Sequence, residues 1–274
     1  MSEKFKSVDC GGRRIRYVCM GTGVPAVIID QGQGLSIERS FERQVPIGWT
    51  RVFTKIQESV QVLMHDRAGL GSSDPAPAPR TSLQMVDDLR AVLAAAQVSP
   101  PYVLVGHSVG GFNARVFAGK YPDEVAGMVL VDSSHPDQIS RWAGMVPPET
   151  PGEPLVLRLL RHGPDATLTT EHIDFRTSAD QAREVTTIGA KPLVVVSQSP
   201  GALCPPGIPV AVWEKMQPMW SELQADLLKL SESATHAVAT HAGHMVQLEE
   251  PDLVIEAILS VVRAAQLPGA RRLH

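Results

Sequence analysis

Gly106-His107-Ser108-Val109-Gly110 sets a serine between two glycines, directly after the apolar run Tyr102-Val103-Leu104-Val105 and ahead of a helical stretch. Strand before and helix after is the context that gives the G-x-S-x-G spacing its chemical meaning. A serine at a tight strand-to-helix turn sits in strained backbone, and its neighbours two residues away crowd that turn. Glycine at 106 and 110 removes the Cβ atoms that would collide there. Gly111 leaves further room where the helix passes the sheet. The Ser108 hydroxyl is thereby exposed for nucleophilic attack, with the backbone N–H of Val109 at a helix start to stabilise an oxyanion. No Gly-Lys-Ser/Thr follows, which excludes a phosphate-binding loop.

A neutral hydroxyl needs a general base near pH 7, usually histidine. Of nine histidines, His244 lies in Ala242-Gly243-His244-Met245, just past the run His236-Ala237-Val238-Ala239. That places it at the carboxyl edge of a sheet, where α/β proteins set their sites. His241 is three residues earlier, but no third and fourth ligands lie near, so a metal site is not implied. His107 neighbours the serine and points elsewhere at a sharp turn, which suits packing. The base in turn needs a carboxylate that fixes its tautomer. Val129-Leu130-Val131-Asp132 ends in an aspartate at the same edge, and Glu214 and Asp137 are the alternates.

The elements that must position these groups follow from the apolar pattern. Arg14 to Val18 alternates after Gly11-Gly12, as a half-buried hairpin strand does. Short runs apolar on both faces recur at 25–29, 60–64, 102–105, 127–131, 192–196 and 236–239, as in a parallel sheet covered on each side. Helical spacing marks 81–96, 112–118 and 251–262, the last opening with Pro251 behind two glutamates. The prolines at 205, 206 and 209 mark a loop. Alternation of this kind predicts an α/β doubly wound sheet. From Ser133 to Ala190 the strand pattern stops. A leucine-rich helix is expected over 154–162, and Ser178-Ala179-Asp180-Gln181 resembles a capping box opening another. An insertion of this size suits a lid over an active site. The expected division is a core over 1–132, a helical cap over 133–190 and the rest of the core over 191–274.

These segments together resemble the α/β-hydrolase superfamily in its small, capped form. Beside the serine pentapeptide, Ile28-Ile29-Asp30-Gln31-Gly32-Gln33-Gly34 occupies the place of its His-Gly oxyanion loop, with Gln31 in place of the usual histidine. Asp66-Arg67-Ala68-Gly69-Leu70-Gly71-Ser72-Ser73-Asp74 resembles its Asp-Arg-x-Gly-x-Gly-x-Ser segment, and Gly243-His244 its histidine loop. The resemblance implies an α/β-hydrolase fold, mostly parallel, with helices on both faces and a small helical cap. It implies Gln33 N–H as the second oxyanion donor beside Val109. Most members carry the acid after the strand that here is Pro192 to Val196, where this chain has none until Glu214; some relatives use the position of Asp132.

The expected activity is a serine hydrolase of carboxylesterase or lactonase type, cleaving an ester-like bond of a small, largely apolar molecule through an acyl-enzyme, without cofactor or metal. Leu155, Leu157, Leu159, Leu160, Trp142 and Met145 either line an apolar pocket or pack the lid helices together. Non-hydrolytic or C–C-cleaving relatives (lyase, cyclase, haloperoxidase-like) and a low-turnover ligand receptor share the same machinery. Epoxide hydrolases and haloalkane dehalogenases place aspartate where Ser108 stands. A net charge of −4 lacks the basic excess of a nucleic-acid binder. No apolar run reaches membrane-spanning length. Met1 to Ser7 has no apolar stretch behind its charges, and Cys10, Cys19 and Cys204 make no disulfide framework. A soluble, cytoplasmic protein is the expectation.

Overall fold

A single sheet with an apolar layer on each face organises the chain. The computed structural model describes residues 5–41 and 48–267. The strands are β1 (Phe5–Asp9), β2 (Arg14–Met20), β3 (Ala26–Asp30), β4 (Val62–His65), β5 (Tyr102–His107), β6 (Val125–Val131), β7 (Leu193–Ser197) and β8 (Ala234–Val238). The helices are α1 (Ile37–Phe41), α2 (Thr50–Ile56), α3 (Ser82–Ala95), α4 (Gly110–Lys120), α5 (Gln138–Ala143), α6 (Leu155–His162), α7 (Phe175–Glu184), α8 (Val210–Asp226), α9 (Val246–Glu249) and α10 (Pro251–Gln266).

The sheet order is β1-β2-β4-β3-β5-β6-β7-β8, antiparallel at β1/β2 and β2/β4 and parallel elsewhere. Period-two alternation explains the continuous apolar runs. Tyr102 and Leu104 of β5 join the layer of α3, α4 and α7, while Val103 and Val105 join that of α2 and α10. The fold is therefore the doubly wound α/β arrangement expected from the sequence. Among the described residues, no helix is long and apolar enough to cross a membrane.

Between β6 and β7 the three helices part company. α7 packs on α4 and α3: Phe175, Ala179 and Ala182 are buried in the main core, and the Phe175 ring meets that of Phe112 edge-on at 5.1 Å. α5 and α6 instead share a cluster with α8, in which Leu157 and Leu160 pack with Val146, Val212 and Met216. Those two leucines are packing residues, whereas Leu155 is 55% exposed. The capping-box reading at Ser178 needs correction. α7 begins earlier, at Phe175, and Asp174 caps it through the Thr177 N–H at 3.0 Å. Ser178 and Gln181 accept instead from the N–H groups of Ser82 and Leu83, at 2.9 and 2.8 Å, and so cap α3.

Candidate active site

Parallel pairing sets Ser108 and Asp132 side by side, because His107 pairs with Val131 and each strand ends there. Both residues turn sharply into left-handed backbone, with φ of +53° at Ser108 and +37° at Asp132. Such a conformation costs a non-glycine residue about 1–3 kcal/mol and persists only where the surroundings enforce it. They do so here. The Ser108 carbonyl accepts from Gly111 at 3.0 Å and from Ser134 at 2.9 Å, and the Asp132 N–H donates to Val196 at 2.6 Å. A Cβ at Gly106 would stand 2.5 Å from the Gly110 carbonyl oxygen, and one at Gly110 would stand 2.2 Å from that of Asp30. The turn is closed to any larger residue.

Asp132 is fully buried, whereas the His244 side chain is 48% exposed. His244 Nδ1–H donates to Asp132 Oδ2 at 2.6 Å, which leaves Nε2 as the ring's free acceptor. The other carboxylate oxygen accepts from the Gln198 N–H at 3.0 Å and from Trp220 Nε1–H at 2.9 Å. The alternates are elsewhere: Glu214 is exposed on α8, and Asp137 is paired with Arg183. Ser108 is half-buried, and its hydroxyl has no hydrogen-bond partner among the described residues, His244 included. Such contacts commonly tighten only around substrate.

His107 underlies His244. Its ring lies 4.7 Å from that of His244, and its Nε2–H donates to the His244 carbonyl at 3.0 Å. Burial, with His244 beside it, pushes the His107 imidazole down to about 3, so the ring is neutral. The histidine loop is moored by the two glutamates ahead of α10. Glu250 accepts from the N–H groups of Thr240, His241 and Ala242 at 3.1, 2.7 and 2.7 Å, and Glu249 from Gly243 at 2.8 Å. Burial pushes the Glu250 carboxyl up, but those three donors outweigh it and hold it below the usual range.

The loop after β3 approaches from the other side. A Cβ on Gly32 would lie 3.4 Å from the Ser108 Cβ and 2.8 Å from His107 Nδ1, so the bare backbone keeps that space open. Neither Val109 N–H nor Gln33 N–H donates a hydrogen bond among the described residues. The loop's shape is imposed by Arg67, which donates to the carbonyls of Gln31 and Gly32 at 2.7 and 2.9 Å. Arg67 also pairs with Asp30 and, at 2.6 Å, with Glu171 from the insertion. Burial pushes its guanidinium down, but Glu171 and Asp30 outweigh this and hold it above the ordinary arginine value.

Sequence reasoning missed Arg67, Glu171 and Trp220 as parts of the site. The Asp-Arg of residues 66–67 was a visible signal, but its partners are remote in the chain. Among the described residues, no group of three or more His, Cys, Asp or Glu is placed to hold a metal ion.

Comparison with known proteins agrees with this architecture. The family described as alpha/beta hydrolase fold matches residues 44–193. YqjL of Bacillus subtilis (strain 168), an uncharacterised protein, is 27% identical over 96% of this chain and 93% of its own. A thermophilic esterase from Thermogutta terrifontis superimposes with a TM-score of 0.62 at 20% identity, covering 95% of this chain and 97% of that one. The epoxide hydrolase CorEH does so at 0.63 and 16%, covering 96% and 99%. At those identities the likeness speaks for the fold alone.

Proposed function

The chain belongs to the α/β-hydrolase fold family, and from that premise we propose that it is a serine hydrolase that cleaves ester-like bonds of small, largely apolar molecules. The observation that carries the reading is the Asp132–His244 hydrogen bond at 2.6 Å, made at the strand edge where Ser108 stands in left-handed backbone. A donated Nδ1–H commits the imidazole to the tautomer whose Nε2 can take a proton.

In this reading Ser108 Oγ attacks the carbonyl carbon while its proton passes to His244 Nε2. The carbonyl electron pair moves onto oxygen, and the N–H groups of Val109 and Gln33 stabilise that oxyanion. Collapse breaks the ester C–O bond, and the leaving oxygen takes the proton from His244. Water then attacks the acyl-serine, giving its proton to His244, and the second collapse returns that proton to Ser108 and releases the acid. Asp132 accepts from the imidazolium throughout and is not itself protonated. Within residues 133–190, α5 and α6 form the cap in this account, and α7 belongs to the core.

The test is hydrolysis of short-chain nitrophenyl esters by the wild type and by Ser108→Ala. The wild type is expected to turn over, and the variant to lose about 10⁴-fold or more in kcat. Equal rates in both would overturn the reading. Binding without turnover in the wild type would favour a ligand receptor on the same fold.

A further inference from the structure

Asp132 is held by more than the histidine it serves, and its second oxygen is gripped by a helix that the sequence pattern did not disclose. One face of α8 carries Gln217, Trp220 and Gln224, at helical spacings of three and four. All three are buried, and all three hydrogen-bond to the turns around Asp132. Gln217 donates to the Ala202 carbonyl and accepts from the Gln198 side chain, each at 3.2 Å. Gln224 donates to the carbonyl of Ser133 at 2.8 Å. Between them, Trp220 Nε1–H donates to Asp132 Oδ1 at 2.9 Å.

A carboxylate is free to spin about its terminal torsion, which has no sharp staggered preference. Here Oδ1 is fixed by the Gln198 N–H and the Trp220 indole, so Oδ2 must face His244. We propose that Trp220 is a positioning residue, which sets the Asp132 carboxylate, and through it the His244 imidazole, from α8. The indole is itself braced by the cap. The rings of Trp142 on α5 and Trp220 lie 5.5 Å apart at 32°. The inference rests on the hydrolase reading for its kinetic consequence, but the contact itself is testable without turnover.

Two arms test it. In the first, Trp220→Phe removes the donor and keeps an aromatic ring. It is expected to lower kcat about ten- to a hundredfold, as loss of a group that orients a ligating side chain does, with KM unchanged. Introduced into Asp132→Asn, it lowers kcat no further, because the effect runs through the carboxylate. Equal losses in both backgrounds would mark mere packing and overturn the proposal. The second arm is nitrogen–proton NMR of the indole groups, and the chain has four tryptophans. The Trp220 Nε1–H resonance is expected furthest downfield and shifted upfield in Asp132→Asn. A resonance unmoved by that substitution overturns the proposal whether or not the protein hydrolyses esters or Trp220→Phe folds. Absent ester turnover with a shifted resonance would instead count against the hydrolase reading alone.

Discussion

The N–H of Gly34 donates to Glu171 Oε2 at 2.6 Å, so a carboxylate from the β6–β7 insertion holds the loop that follows β3. The other oxygen of Glu171 pairs with Arg67, whose guanidinium grips two carbonyls of the same loop. The side chains of Arg67 and Glu171 are 3% and 1% exposed, so neither has water to fall back on. Removing one partner of such a buried pair costs about 3–5 kcal/mol, and the low end applies here because Arg67 keeps Asp30 as a second carboxylate. Glu171→Gln is therefore expected to lower the unfolding free energy by about 3 kcal/mol in urea titration. A loss under about 0.5 kcal/mol, the scale of an ordinary surface change, would show that the pair is not under the strain of burial.

The choice of acid is tested by a matched pair of substitutions. Asp132→Asn is expected to lower kcat by roughly 10⁴ by releasing the imidazole into the wrong tautomer. Glu214 is exposed on α8, and Glu214→Gln is expected to leave kcat unchanged. Ester turnover read in parallel checks both, and a loss below tenfold in the first variant would move the role elsewhere.

The proposed oxyanion donors are backbone groups, which separates side chain from main chain at residue 33. Gln33→Ala keeps the N–H and loses only the bond from its amide to Thr169 Oγ1. Its kcat is expected within about threefold of wild type, the scale of an ordinary surface change. Gln33→Pro deletes the N–H and is expected to cost about 10²–10³ in kcat. Equal kcat in the two variants would exclude the Gln33 amide as a donor.

Asp66 gives the fold a pH dependence. Its burial pushes the carboxyl up to about 7, against the pull of the Ile37 N–H that bonds Oδ1 at 2.7 Å. A carboxyl raised in the native state contributes stability that is fully present below its unfolded value near 4 and lost as pH rises through about 7. Asp66→Asn has no such proton to lose. Denaturant titrations of both proteins are expected to show the wild type losing stability relative to the variant between about pH 4 and pH 7, with a constant difference above. A difference flat across that window would contradict it.

Much of this was legible in the chain, for identifiable reasons. Runs such as Val103-Leu104-Val105 announce strands covered on both faces, and the glycines around Ser108 announce a turn that tolerates nothing larger. His244 could be placed because it follows the last apolar run. What stayed hidden depends on contacts between remote positions. Trp220 meets Asp132 across 88 residues, and Glu171 meets Arg67 across 104. α8 itself was obscured by proline: Pro205, Pro206 and Pro209 mark the loop that leads into it, and Pro218 lies within the continuous helix. Tertiary packing on its buried face overrides the local penalty. Likewise, the glutamates before Pro251 suggested only a favourable helix start, whereas they bind four N–H groups of the histidine loop.

The central claim is that Ser108 Oγ is an activated nucleophile, and covalent labelling tests it most directly. Wild type and His244→Ala are treated with a fluorophosphonate and the adduct is located by peptide mass spectrometry. One adduct is expected, on Ser108, formed in the wild type and slowed by orders of magnitude without the imidazole. An unlabelled Ser108, or one labelled equally fast in both proteins, would contradict it.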